Sequence, residues 1–374
     1  MARKLAIQAG RSKVRARGTG PLSNGQIALL LAQEAENATG HMVQALRRAA
    51  RSAFLWPEEV ADILGAGRRL TELNSIGPHL ARLIGGWVEA PPAVPEPNEL
   101  QREFLTMSEA RRILAAKPQW RGRLKGDLQM HTTWSDGSGS VKDMAAAGLT
   151  LGYAYIGITD HTQGLKIAGG LTEAELAAQG REIAAVNRDL KKQGAALRVL
   201  RSTEVNLSPA GEVDMEPKAL AELDIVLGSF HSSLRKKEDQ TARYVAALRN
   251  PNIQTLGHPQ GRVYNYRSGL HADWPRVFAE AAKLDKAVEI DGYADRQDLK
   301  GSLLKMAKKE GCRISLGTDA HHPWQLAYID LSLAAACRAG IAADRILNFM
   351  PAEELLVWVS SVRERATNPT RRAR

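Results

Sequence analysis

Cysteine is scarce in this 374-residue chain. Only Cys312 and Cys337 occur, and they form no paired ligand motif, so neither a disulfide framework nor a structural thiolate zinc site is indicated. Such usage fits a reducing, cytoplasmic setting. Long apolar runs are lacking as well. The first residues, MARKLAIQAGRSKVRARGTG, are basic without the apolar centre of a secretory signal, and no later stretch is long and apolar enough to span a membrane, so a soluble protein is expected. What is present is length, a 44% hydrophobic composition and a formal net charge of +10. A chain of this length buries a real core and usually carries more than one domain, and two are expected here. The positive excess favours a polyanionic partner such as nucleic acid or a phosphorylated metabolite.

Residues 1–20 and 363–374 read as basic tails that either touch phosphates or stay solvated. Residues 21–90 are helical in texture, with apolar positions recurring at three and four, and form a small all-helical module. The proline-rich run that follows cannot continue helix or sheet. Residues 91–125 are therefore expected as a linker that ends in a short helix, about 107–116, with Ser108 as its cap.

From Gly126 to about residue 362 the pattern changes to short apolar runs alternating with amphipathic helices, as in a parallel α/β sheet or barrel. Seven strands are expected, at 127–130, 154–158, 197–205, 225–230, 253–256, 287–290 and 313–316. Nearly all run directly into an acid or a histidine: His131, Asp160 and His161, Glu204, His231, His258, Asp291, then Asp319 and His321. In an α/β barrel the carboxyl ends of the strands converge on one mouth, so these distant residues become one polar cluster. Imidazoles and carboxylates without thiolates suit zinc, manganese or iron, and a bound ion acidifies water and neutralises charge on a phosphoryl group.

Several motifs occur in a specific order: GDLQMHTTWSDG at 126–137, ITDH at 158–161, STEVN at 202–206, GSFHSSL at 228–234, LGHPQGR at 256–262, VEIDGYADR at 288–296 and SLGTDAHH at 315–322. Together they resemble the PHP (polymerase and histidinol phosphatase) family of metallo-phosphoesterases, in particular the PHP domain at the carboxyl end of family X DNA polymerases. The resemblance implies a distorted (β/α)7 barrel with two or three divalent ions, Zn2+, Mn2+ or Fe2+. It implies His131, Glu204 and Asp319 as ligands of a first ion, with Gln129 standing where the family commonly has a histidine. Glu204 would bridge to a second ion held by His231 and His258, and Asp136, His161 and His321 would hold a third. Asp160 is either a ligand or a carboxylate that orients an imidazole. Arg262 suits bidentate grip of a phosphate, and Lys166 and Arg296 would add charge to a substrate groove. His271 and His322 are taken as non-ligands.

In the helical module, ELNSIGPHLARLIGGWV at 72–88 resembles a helix-hairpin-helix, whose glycines bring backbone amides to a DNA phosphate. Ile76 and Gly77 fit that pattern, Ser75 replaces its first glycine, and Arg47, Arg48 and Arg51 would lie along DNA or form a solvated face. A family X polymerase has its palm between two such parts. The roughly 35 residues of the linker cannot make that domain, so no polymerase activity is expected. The function implied is a DNA 3′–5′ exonuclease or DNA-end phosphoesterase. The alternatives are a small-molecule phosphomonoesterase of histidinol-phosphatase type and a non-catalytic DNA-binding scaffold.

Overall fold

Seven parallel strands follow one another around a single sheet in the order in which they occur in the chain. They are β1 (Gly126–Asp127), β2 (Tyr155–Ile158), β3 (Arg198–Asn206), β4 (Ile225–Ser229), β5 (Thr255–Leu256), β6 (Ala287–Asp291) and β7 (Arg313–Gly317). The computed structural model describes residues 20–367. Among the described residues two units form by contact, 20–109 and 110–367.

The first unit is all-helical: α1 (Asn24–Asn37), α2 (His41–Ala53), α3 (Val60–Gly65) and α4 (Pro78–Glu89). Ser23 starts α1 with a reciprocal cap to Gln26, and Ile27, Leu31, Trp56, Ile63 and Ile84 form its core. The proline-rich stretch differs from the expected free linker. Val94 packs on this core, Leu105 and Met107 are buried, and the Met107 N–H donates to the Phe54 carbonyl (2.7 Å). The unit therefore ends at Glu109, inside α5 (Met107–Ala115). Ser108 is not the cap of α5. Thr106 accepts from the Glu109 N–H (3.2 Å), while the Ser108 hydroxyl donates to Glu59 (2.9 Å).

In the second unit α6 (Gln119–Arg123) precedes β1. Each strand is then followed by a helix: α7 (Val141–Thr150), α8 (Glu173–Lys192), α9 (Pro217–Ala221), α10 (Thr241–Arg249), α11 (Trp274–Lys283), α12 (Gly301–Lys309) and, after β7, α13 (Ile329–Ala339) and α14 (Ala352–Thr367). The α/β barrel expected from the sequence is the fold observed. Its strands are almost wholly buried, because helices cover the outside and side chains fill the inside. Gly126 is needed where β1 meets β2, since a Cβ there would lie 2.0 Å from the Tyr155 carbonyl. Residues 1–19 and 368–374, most of the two expected basic tails, lie outside the described residues. The carboxyl-terminal tail was placed too early: 363–367 continue α14, with Arg363 donating to the Leu223 carbonyl (2.9 Å) and Arg365 to Asp285 (2.8 Å).

The barrel closes where β1 returns to β7. The Leu128 N–H donates to Leu316 (3.3 Å), Asp319 to Gln129 (3.1 Å) and His131 to Ala320 (2.8 Å). Fully buried Asn348 completes this seam. Its amide nitrogen donates to the Gly126 (2.9 Å) and Leu316 (2.8 Å) carbonyls, and its oxygen accepts from the Leu316 N–H (2.7 Å). Asn348→Ala takes the acceptor from the Leu316 N–H and a donor from the Gly126 carbonyl, away from water, and a loss of about 2–4 kcal/mol is expected in urea unfolding. A loss under about 1 kcal/mol would show that the seam does not depend on this carboxamide.

Candidate metal centre

His131 follows β1, His161 follows β2, Glu204 lies in β3, His231 and His258 follow β4 and β5, and Asp319 and His321 follow β7. Parallel strands bring all of them to one mouth. Three groups have ligand atoms within 4.8 Å of one another: His131, Glu204 and Asp319; His161, Glu204 and His231; and His131, Asp136, His161 and His321. Glu204, with no exposed surface, belongs to two of them. One of its oxygens is 2.7 Å from His258 Nε2 and 3.3 Å from His231 Nε2; the other is 3.2 Å from His161 Nδ1 and 3.5 Å from His131 Nε2. Asp319 Oδ1 is 2.9 Å from His131 Nε2, and Asp136 Oδ1 is 3.3 Å from His321 Nε2. His131 and His161 therefore each serve two groups through their two ring nitrogens, where the sequence placed each in one.

Neighbouring groups fix the rings. His321 Nδ1 donates to the Asp319 carbonyl (2.7 Å), which leaves Nε2 facing Asp136. His231 Nδ1 pairs with Asn206 Oδ1 (3.2 Å). His258 and Asp319 hold left-handed backbone (φ 23° and 52°), a costly conformation for such residues that concentrates at functional sites. Burial opposes charge on Glu204, yet the imidazoles of His161, His258 and His231 hold its carboxyl well below the usual range. Burial also opposes charge on Asp319, and Arg296 and His131 overcome it in the same direction. Burial lowers His131, but Asp319 and Glu204 raise it to about 9, while burial and the His131 charge bring His161 down to about 3. Four buried atoms facing the cluster, His131 Nδ1, His161 Nδ1, Glu204 Oε2 and His231 Nε2, have no hydrogen-bond partner among the described residues. Ionised carboxylates and orphaned imidazole nitrogens at one point are the donor set that divalent cations take.

No protein-family model matches the chain. A probable phosphatase of Shewanella sediminis is 30% identical over 172 residues, which cover 43% of this chain and 67% of the relative. This chain belongs to the PHP family. It is also 35% identical over 255 residues to the DNA polymerase/3′-5′ exonuclease PolX of Bacillus subtilis, a match that covers 68% of this chain and 43% of that protein. The chain thus spans less than half of that longer relative. A solved histidinol phosphate phosphatase from Lactococcus lactis aligns at TM-score 0.43 with 19% identity, over 58% of this chain and 94% of its own.

Other expected residues of this PHP chain take different places. Gln129 turns its amide nitrogen to Glu289 (2.6 and 3.0 Å). Asp160 belongs to none of the three groups. Its carboxylate accepts from the Thr132 N–H (2.7 Å) and hydroxyl (2.6 Å), the Ser135 hydroxyl (2.5 Å) and the Gln179 amide (2.6 Å), so it shapes the loop between His131 and Asp136. Asp160→Asn is expected to lower activity about 10–100-fold with weaker metal retention, as metal titration would show; unchanged retention would refute that link. Arg262 is 3% exposed, with Asp298 beside its charge. Arg296 instead adjoins the cluster: its guanidinium pairs with Asp319 Oδ2 and lies 3.8 Å from Asp291, with a third of the side chain exposed. Lys166 is exposed in the turn after β2, and His322 caps the turn after β7.

Sequence reasoning missed Glu289. It is fully buried, accepts from the His258 N–H (2.8 Å) and lies where any side chain on Gly317 would strike it at 2.3 Å. Burial and the Asp291 charge raise its carboxyl well above the usual range. A glutamate inside the apolar run 287–290 was the available signal.

In the helical unit, Arg47, Arg48 and Arg51 are exposed on α2. Ile76 is buried, so only its backbone can meet a ligand, and Gly77 caps α4. Ser75 sits at φ 66°, the left-handed conformation that explains why glycine is usual in this turn.

Proposed function

We propose that this chain is a metal-dependent phosphoesterase of the PHP type that cleaves phosphodiesters at DNA ends, most simply as a 3′–5′ exonuclease. The observation that carries the reading is Glu204: one ionised, fully buried carboxylate contacted by four imidazoles, two of which also face Asp136. In this reading His131, Glu204 and Asp319 hold one ion, His231, His258 and Glu204 a second, and Asp136, His161 and His321 a third, with Gln129 withdrawn to Glu289. Divalent ions there would supply Lewis acidity toward phosphoryl oxygens and an acidified water. The protein's own part is to orient the imidazoles through Asn206 and the Asp319 carbonyl, and to keep Glu204 dry. Arg296 takes the phosphate-gripping role read in the sequence for Arg262, because it combines contact with Asp319 and an exposed portion. The helical unit would hold DNA through the backbone at Ile76 and Gly77 and through Arg47, Arg48 and Arg51.

Similarity to a DNA polymerase/3′-5′ exonuclease supports the nucleic acid substrate, and similarity to a probable phosphatase supports the second reading, a small phosphomonoesterase. A manganese-supplemented assay of a labelled single-stranded oligonucleotide against a generic phosphomonoester, with His231→Ala beside wild type, separates them. Shortening of the oligonucleotide that the variant loses is the expected result. Turnover of the monoester alone would replace the nuclease by the phosphatase.

A further inference from the structure

Two mouth loops that begin at cluster residues carry an arrangement the metal centre does not use. After His258, the segment 263–267 folds into a tight hairpin: the Val263 N–H donates to the Arg267 carbonyl (2.8 Å) and the Arg267 N–H to the Val263 carbonyl (2.9 Å). Its tip presents Tyr266 with 62% of its surface exposed. From the loop after His231, the exposed Arg235 lays its guanidinium over the Tyr266 ring, 4.6 Å from the centroid. Arg267 pins the base of the hairpin by donating to the Gly261 carbonyl. The Tyr264 N–H donates to the Asp295 carbonyl (2.7 Å), next to Arg296 in the chain. The hairpin therefore joins the segment of Arg296, whose guanidinium pairs with Asp319, to Arg267 and Arg235, and the exposed Lys236 and Lys237 follow Arg235 in the chain.

Packing does not explain this tyrosine. The ring leaves 62% of its surface in water at a loop tip, and a guanidinium over it at an exposed site contributes only about 0.5–1 kcal/mol to the fold. A row of fixed cations that ends in an exposed aromatic is how proteins track a sugar–phosphate backbone and stack an unpaired base.

We infer that Tyr266, backed by Arg235, is a stacking site for one base of a single-stranded nucleic acid whose end lies at the metal cluster, with Arg267 and Arg296 beneath the intervening phosphates. This rests on the nuclease reading above and adds the substrate form it requires: a strand with unpaired bases near its end.

The test uses the full chain with manganese and a set of single-stranded oligonucleotides, each with one abasic position at successive distances from the 3′ end. Wild type is expected to lose about tenfold in kcat/KM, mainly through KM, at one particular abasic position. Tyr266→Ala should lose about the same on the intact strand and nothing further at that position, while Tyr266→Trp keeps wild-type behaviour; Arg235→Ala should fall between. A further tenfold loss by Tyr266→Ala at that abasic position, added to its loss on the intact strand, marks a structural role and overturns the inference, as does a wild type indifferent to every abasic position. A wild type that turns over a phosphomonoester but no oligonucleotide overturns the nuclease reading itself, and this site with it.

Discussion

Replacing Glu204 by glutamine is expected to reduce phosphoester hydrolysis by about a thousandfold or more. The substitution keeps shape and removes one charge. That charge is the only carboxylate shared between two of the three ligand groups, and it faces His131, His161, His231 and His258 at 2.7 to 3.5 Å. An amide there cannot neutralise an adjacent cation. Charge stabilisation by bound metal contributes several kcal/mol, and each 1.4 kcal/mol is tenfold in rate. The loss should appear in kcat and be matched by lower metal content in purified protein. Near wild-type turnover with full metal content would show that Glu204 is structural.

Stripping divalent ions is expected to destabilise the barrel unit and leave the helical unit as it was. Binding at a hundred times Kd stabilises by about 2.7 kcal/mol, and in a domain of roughly 250 residues that shifts the melting midpoint by about 5–10 °C. All three ligand groups lie in the barrel, whereas the helical unit depends on an apolar core around Ile27, Leu31 and Trp56. Calorimetry with and without EDTA should show one transition moving and recovering on addition of manganese or zinc. A midpoint indifferent to chelation would mean that the orphaned nitrogens of His131, His161 and His231 are not satisfied by metal.

The barrel was legible in the sequence because each strand is a short apolar run that ends at an acid or a histidine, and the end of a strand is the one place where barrel topology collects residues. That is why His131, His161, Glu204, His231, His258 and Asp319 come together although nearly two hundred residues separate the first from the last. What remained hidden depends on side chains reaching backbone or carboxylate across the fold. Asn348 completes the seam from far outside any motif, and Glu289 claims Gln129, which the family pattern had offered as a ligand. The sequence leaves Asp160 as either a ligand or a carboxylate that orients an imidazole, and its four donors place it instead in shaping the loop between His131 and Asp136. Thr106 displaced Ser108 as a cap because the Ser108 hydroxyl finds Glu59. Local pattern places elements; which of two adjacent polar groups does the work is settled by tertiary partners.

The central claim is that the mouth of the barrel is a metal centre, and native mass spectrometry of the full chain equilibrated with manganese or zinc tests it most directly. Two or three divalent ions per chain, reduced in Glu204→Gln, is the predicted result. A wild-type chain that takes up none at saturating metal would contradict the account.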